Sequence, residues 1–292
     1  MFEFATQSKY TRMPFTTVDL LNHLPFLKQH HCQFFTDNLL ETGVRLRMDD
    51  LHIKELSVYA SFVAEHKTEE EVLCNRLINS YSTFFRNNLT FAILEQSILR
   101  NLVESSFQQS RKEIRVWSAA CAAGQEPYSL AILFHEIQEQ RESKLNCRIV
   151  ATDMQQDQIN KALIGSYVYE DVLNVSLRRL QKYFEHNGNR YEIKDVIKDT
   201  VTFELFNLLG SDNWSPSSSI FGSFDLIFCS NLLFYYKPEI RARIIDRIKY
   251  NLNTEGLLIA GDAEKGIVEK HGFEEIFPGS CVFKRCDEYK SH

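Results

Sequence analysis

Residues 116–130 read VWSAACAAGQEPYSL. The stretch ends a short apolar run, IRVWSAA, rich enough in β-forming residues to be a buried strand. It passes through a run of very small side chains and carries Glu126 and Pro127 into EPYSLAILFHEIQEQ, which has helical periodicity. Pro127 suits the first turn of that helix. The reading predicts a strand, a small-residue loop and a helix in direct succession.

The same alternation repeats downstream. CRIVATD (147–153) reads as a strand and QQDQINKALIG as a helix with Gly165 as its C-cap. FDLIFCSN is a further strand, KPEIRARIIDRIKYNL a helix, GLLIAGD a strand after the turn NTEG, and SCVFKRC a last strand. Strands alternating with helices imply an α/β protein, a parallel sheet with helices on both faces. Between the two halves lies KYFEHNGNRYEIKDVIKDTVTFELF, where Asn187-Gly188 is a strong hairpin signal. It predicts a small antiparallel β-subdomain inserted at about 181–205.

From about Thr17 to Leu102 the apolar spacing is helical, as in IKELSVYASFVAEH and FAILEQSILRNLV. Thr68 is the expected N-cap of EEEVLCNRLINSY, with Glu71 completing a capping box. The expected division is therefore an N-terminal helical domain with linker over 1–110 and the α/β domain over 111–292.

The 292 residues are 44% hydrophobic and 25% charged, a globular balance, with a formal net charge of -6. That charge does not indicate a basic nucleic-acid surface. No apolar run approaches a membrane span, and MFEFATQSKYTRMPF lacks the order of a secretion signal. The seven cysteines are scattered without a C-x-x-C pair, which reads as buried thiols in a reducing cytoplasm and not as a zinc or disulfide framework. No metal site is expected.

In an open parallel sheet, ligands sit beyond the carboxyl ends of the strands. Four loops there carry marked residues. In SAACAAGQEP, Gly124 and its small neighbours let backbone approach a ligand, or simply pack closely. Asp153 is either a ribose acceptor or a helix N-cap. Asn207 in FNLLG and Asn231 and Tyr235 in CSNLLFYY can read an adenine edge or an amino-acid group, or serve turns. None of these loops holds a histidine, so a Cys/His nucleophile at Cys121 or Cys229 is disfavoured. In NSYSTFFRNN (79–88), Phe84 and Phe85 read as core and Arg86 as either solvated or directed at the crevice.

STFFRN, VWSAACAAGQEPYSLAIL, ATD, IGSY, FNLL, FDLIFCSNLLFYY and EGLLIAGDAE occur in the order found in chemotaxis-receptor methyltransferases of the CheR type, which the chain resembles over roughly residues 70–265. The resemblance implies a class I, Rossmann-like methyltransferase sheet using S-adenosylmethionine and releasing S-adenosylhomocysteine. It implies transfer of a methyl group to a glutamate side chain of a protein, the cytoplasmic helical region of a chemoreceptor or another signalling protein. Arg86 and Tyr235 correspond to the pair beside the methyl-bearing sulfonium. Glu126 corresponds to the partner of the cofactor's amino group and Asp153 to the ribose binder. The other implied cofactor contacts are Ser80, Ser82, Ala119, Gly124, Met154, Asn207, Leu208, Asn231 and Leu232. A cytoplasmic monomer, without nucleic acid or membrane insertion, is expected.

The chain departs from the family pattern at several points. Ser80 and Ser82 replace Asn and Thr, Gln125 replaces Glu, and Ser230 replaces Arg. GVRLRMDDLHIKEL mixes signs where receptor-methylating members carry a basic helix, and the hairpin at HNGNR lacks their glycine-rich lengthening. Two alternatives follow: a cofactor-binding regulatory module without catalysis, and a methyltransferase with a target outside chemotaxis.

Overall fold

The computed structural model describes residues 16–22, 24–29, 31–78, 82–111, 113–141, 145–210, 213–219 and 222–286. Expectations that fall on residues 1–15 and on Ser80 lie outside them. The chain forms two compact units, Met1–Asn79 and Ser80–His292. The division lies well before residue 110, where the sequence reading put it. The reason is packing: Phe91, Leu94, Ile98, Leu99 and Val103 join the same buried cluster as the strand residues Ile114 and Val116.

The smaller unit is helical: α1 (Thr17–Asn22), α2 (Pro25–Gln29), α3 (Asp37–Asp50), α4 (Leu56–Glu65) and α5 (Lys67–Leu77). Gly43 lets α3 approach α5, since a Cβ there would lie 2.4 Å from Cδ2 of Leu77. Glu69 is 4% exposed and receives two bonds from Arg47 (2.6 and 2.7 Å) and one from the Tyr59 hydroxyl (3.0 Å). The expected capping box fails. His66 occupies the N-cap position and Thr68 lies inside the helix, because the Glu69 N–H already bonds the His66 carbonyl at 2.8 Å.

The larger unit begins with α6 (Asn88–Ile93), a π-helical stretch (Leu94–Ile98) and α7 (Leu99–Gln108). Then come β1 (Glu113–Ala119), α8 (Gln125–Glu139), β2 (Asn146–Asp153), α9 (Gln156–Ile164), β3 (Ser166–Tyr167), α10 (Leu177–Tyr183), β4 (Phe184–Asn187), β5 (Arg190–Ile193) and α11 (Asp195–Lys198). They are followed by β6 (Val201–Leu205), β7 (Phe224–Phe228), α12 (Pro238–Asn251), β8 (Leu252–Ile259), α13 (Lys265–Lys270), β9 (Phe273–Glu275) and β10 (Val282–Arg285). Seven strands form one sheet in the order β6-β2-β1-β7-β8-β10-β9. The first five are parallel, while β10 runs antiparallel to β8 and β9. The chain moves outward from β1 on one side and restarts at β7 on the other. That reversal opens a crevice at the carboxyl ends of β1 and β7.

A three-stranded antiparallel sheet, β3-β5-β4, is set into this domain. Gly188 sits in its hairpin turn at φ 64°, and Asn187 pairs with Arg190. The insertion is placed earlier than the sequence reading had it. It spans 166–193, and Val201–Leu205 pairs with β2 as the edge of the large sheet. TVTFELF has strand composition, but composition does not distinguish a neighbouring partner from one fifty residues away. NTEG also lies within β8, as a register shift against β7 between Phe224 and Leu226. No helix among the described residues is long and apolar enough to cross a membrane.

Candidate functional site

The loop after β1 takes an unusual path. Ala120, Ala122 and Gly124 all have positive φ, at 61°, 47° and 90°. An L-residue in the left-handed region costs roughly 1–2 kcal/mol, so neighbours must impose the path. Cys121 donates its N–H to the Thr152 carbonyl (2.8 Å) and Gly124 to Cys121 (3.0 Å). Ala122 donates to Oδ2 of Asp153 at 3.0 Å. From the small sheet, the Tyr167 hydroxyl donates to the Ala123 carbonyl at 2.8 Å. Gly124 meets two demands: its φ, and a Cβ that would lie 2.9 Å from Cβ of Ala162. Close packing against α9 therefore accounts for this glycine. Ala119, 1% exposed, ends the strand beneath the loop.

Glu126 stands in the first turn of α8, where the helix dipole favours an anion. Its carboxylate is half-buried and accepts a bond from the Ser118 hydroxyl at 2.7 Å. Burial pushes its pKa up to about 8, against the opposing effect of the Ser118 bond. The Glu264 charge adds to the rise and the Arg86 charge works against it. Among the described residues no ion pair satisfies Glu126. A carboxylate in that position fits an incoming ammonium, which would replace the proton that burial favours.

Arg86 reaches this neighbourhood from a tightly held segment. Phe84 is fully buried, edge-on to Tyr167 and Phe184, and its N–H bonds the Asp171 carbonyl at 2.9 Å. Phe85 is 4% exposed, has φ 51°, and donates its N–H to Oγ of Ser129 at 3.1 Å. The Arg179 guanidinium covers its ring at 4.9 Å while paired with Glu95 (2.8 Å) and Glu136 (2.7 Å). The phenylalanines are core, and Arg86 is exposed with its charge opposing the rise in the Glu126 pKa. Ser82 is half-buried beside them.

Asp153 is 8% exposed and accepts the amides of Ala122 (3.0 Å) and Gln155 (2.9 Å). Burial raises its pKa while those amide bonds oppose the rise. It is not the N-cap of α9, a position held by Gln155. Met154 follows, half-buried. The next loop joins on through the Phe206 N–H, which bonds the Asp153 carbonyl at 2.9 Å. Asn207 makes a turn with its side-chain oxygen on the Leu209 amide (2.8 Å), and its carbonyl is held by Arg247 of α12 (2.9 Å). Leu208 is buried.

After β7, Asn231 adopts φ 60° and receives a bond from the Ser230 hydroxyl at 3.2 Å. Leu232 and Tyr235 are half-buried, and the Tyr235 ring lies 4.2 Å from that of Phe234. Sequence reasoning missed the residue that organises this turn. Glu264 is fully buried and accepts the amides of Asn231 (2.9 Å), Leu232 (2.6 Å), Leu233 (2.6 Å) and Gly261 (2.6 Å). The available signal was an acid three residues after a glycine at a strand end. A Cβ on Gly261 would lie 2.9 Å from Oε2 of Glu264.

Four of the described left-handed non-glycine residues, Phe85, Ala120, Ala122 and Asn231, lie in these segments; His31, His52, Ser110 and Cys281 share that conformation. Backbone strain of this kind collects where a ligand is held. Among the described residues no group of three or more His, Cys, Asp or Glu could hold a metal.

The profile of the CheR methyltransferase SAM-binding domain matches residues 80–279. The chemotaxis protein methyltransferase 1 of Pseudomonas aeruginosa is 33% identical over 201 residues, covering 66% of this chain and 69% of that one. A chemotaxis protein methyltransferase of Borreliella burgdorferi is 28% identical over 245 residues, covering 83% and 84%. Another from Vibrio cholerae is 30% identical over 203 residues, covering 67% and 69%. The chain belongs to the CheR methyltransferase family, whose matched domain binds S-adenosylmethionine.

Proposed function

We propose that the protein methylates a glutamate side chain of a protein, giving a glutamyl methyl ester and S-adenosylhomocysteine. The observation that carries this reading is a half-buried carboxylate, Glu126, on which the charge of the Arg86 guanidinium acts, with no histidine among the described residues of the surrounding loops. A carboxylate substrate is already ionised near neutral pH and needs no general base. It does need a cation to orient it and shelter from water.

When bound, S-adenosylmethionine supplies an electrophilic methyl group on a sulfonium. Glu126 holds the ammonium end. Asp153 and the Asn207-Leu208 turn face the nucleoside. Ser82, Ala119, Gly124, Met154, Asn231 and Leu232 line the remainder, and Ser80 is assigned with them from sequence. Arg86 orients the incoming carboxylate by two hydrogen bonds, and the Tyr235 hydroxyl steadies the reacting end. The chemistry the bound cofactor would supply to that oriented carboxylate is methyl transfer to an oxygen, with the thioether as leaving group.

The relatives are named chemotaxis protein methyltransferases, which supports a chemotaxis target; the proposed target is the cytoplasmic helical region of a chemoreceptor or another signalling protein. On α3, Arg47 is committed to Glu69, so this helix offers less basic surface to an acidic partner than its sequence suggests. The test is transfer of label from methyl-labelled S-adenosylmethionine to acidic protein acceptors. The reading predicts a protein-bound methyl that alkali releases as methanol. Label stable to alkali, or turnover without any protein acceptor, contradicts it. Arg86→Ala should lower turnover about 100-fold or more and Tyr235→Phe about 10-fold, both without a change in unfolding midpoint. Unaltered turnover in both removes the assigned pair.

A further inference from the structure

The turn that carries Asn231 and Tyr235 is gripped from two sides by opposite charges. Glu264 takes the amides of Asn231, Leu232 and Leu233. Arg241 of α12 takes the carbonyls of Leu233 (3.0 Å), Phe234 (3.3 Å) and Tyr236 (2.7 Å). Glu264 is the more demanding of the two. It is 0% exposed, and no cation pairs with it among the described residues. A buried anion is costly unless hydrogen bonds carry it. Here four backbone amides do so, and each loses its freedom in return. The close approach at Gly261 shows how little room is left, with a Cβ there lying 3.1 Å from Nδ2 of Asn231.

Glu264 also acts beyond the turn. The charged and titratable groups whose charges bear on Glu126, or feel its own, come from four places. They are Arg86 from the segment before α6, Glu264 from the segment before α13, and the thiols of Cys121 after β1 and Cys229 after β7. Burial pushes both thiols up, so they are neutral. The charge of Glu264 therefore raises the Glu126 pKa and that of Arg86 lowers it.

We propose that Glu264 is a positioning residue of this site: one buried carboxylate that fixes the backbone of Asn231–Leu233, the turn that leads into Tyr235, and whose charge bears on Glu126. The proposal rests on the reading of Glu126 as the ammonium partner. Its two effects are separable. The turn depends on where the Glu264 oxygens lie, and the effect on Glu126 depends on their charge.

The experiment compares wild type, Glu264→Gln, Glu264→Asp and Glu126→Gln. S-adenosylhomocysteine is titrated by calorimetry in buffers of different ionisation enthalpy across pH 6 to 9, which gives the protons released per ligand bound. Methyl-transfer kinetics are measured on the same samples. The wild type should release protons below a midpoint near the Glu126 value, about 8, and Glu126→Gln should abolish that component. Glu264→Gln should move the midpoint down by about half a pH unit or more and lower kcat about 10-fold or more, with a smaller effect on KM. Glu264→Asp keeps the charge but not the reach, so it should leave the midpoint in place and lower kcat. A midpoint and kcat at wild-type values in both Glu264 variants, even with a lowered unfolding midpoint, would leave Glu264 a purely structural residue and overturn the proposal. If Glu126→Gln releases as many protons as wild type, the reading of Glu126 fails instead. If Glu264→Gln does not fold, a wild-type kcat in Glu264→Asp overturns the positioning role.

Discussion

The loops after β1 and after β7 leave neighbouring strands at the same end of the sheet, yet they are held by different means. The first, Ala120–Gly124, is built of small residues and held by hydrogen bonds with Thr152, Asp153 and Tyr167. Alanines sit at positive φ, Gly124 packs on Ala162, and one acid, Asp153, takes one loop amide. The second, Ser230–Tyr236, carries larger side chains and is held by two full charges, Glu264 and Arg241. The difference follows from contents. A loop that must leave space needs only residues that do not fill it. A loop that must aim Asn231 and Tyr235 needs its backbone fixed from behind.

Mutations should therefore break the two loops differently. The largest effect is expected for Glu264→Ala, which leaves buried amides without an acceptor and should cost on the order of 3 kcal/mol or more, read as a fall in the urea midpoint at constant slope. Ala122→Val places a β-branched residue at φ 47° and should cost about 2 kcal/mol, while weakening S-adenosylhomocysteine binding by obstructing the space. Arg241→Met exchanges carbonyl partners for apolar contact and should cost about 1–2 kcal/mol. Thermal unfolding with and without ligand compares these: Ala122→Val, which obstructs the space itself, should lose the most ligand-induced stabilisation, and the two variants that loosen the turn of Asn231 and Leu232 should lose less. A Glu264→Ala protein as stable as wild type would erase the contrast between the loops.

A smaller effect concerns pH. The folded-state value of Glu126 is raised to about 8 by burial. A carboxyl raised on folding favours the protonated protein. Its contribution is complete below the unfolded value and declines as pH rises toward the folded one. Ligand-free protein should accordingly lose melting temperature between about pH 5 and 8. Glu264 and Asp153, both raised, act in the same direction. Glu126→Gln should flatten part of this slope. Ser118→Ala should move the remaining Glu126 transition higher, because the Ser118 bond opposes the rise.

The same contrast explains what the sequence disclosed. Small residues between a strand and a helix are local, so the loop after β1, the helix start at Glu126 and the Gly165 cap were legible from neighbours alone, while the role given to Glu126 came from the ordered motifs. The alternation of strand and helix gave the parallel core for the same reason. Glu264 lies 33 positions from Asn231, and nothing near Glu264 reveals which amides it will meet. The misplacement of β6 has this cause too, since its partner β2 is distant in sequence. Asp153 shows a further limit: at a strand end, one residue type suits a cap, a ribose and a loop brace. The observed bonds to Ala122 and Gln155 removed the cap. Ordered motifs were needed to single out Arg86, because an arginine after two phenylalanines is unremarkable by composition.

The most direct test of the account is calorimetric titration of the intact protein with S-adenosylhomocysteine, wild type beside Glu126→Gln. A crevice built as described predicts one-to-one binding by wild type and an affinity at least about 10-fold weaker in the variant, whose neutral amide cannot pair with the ammonium. Folded wild-type protein that does not bind, or a variant that binds equally well, would contradict the assignment of this crevice and of Glu126 within it.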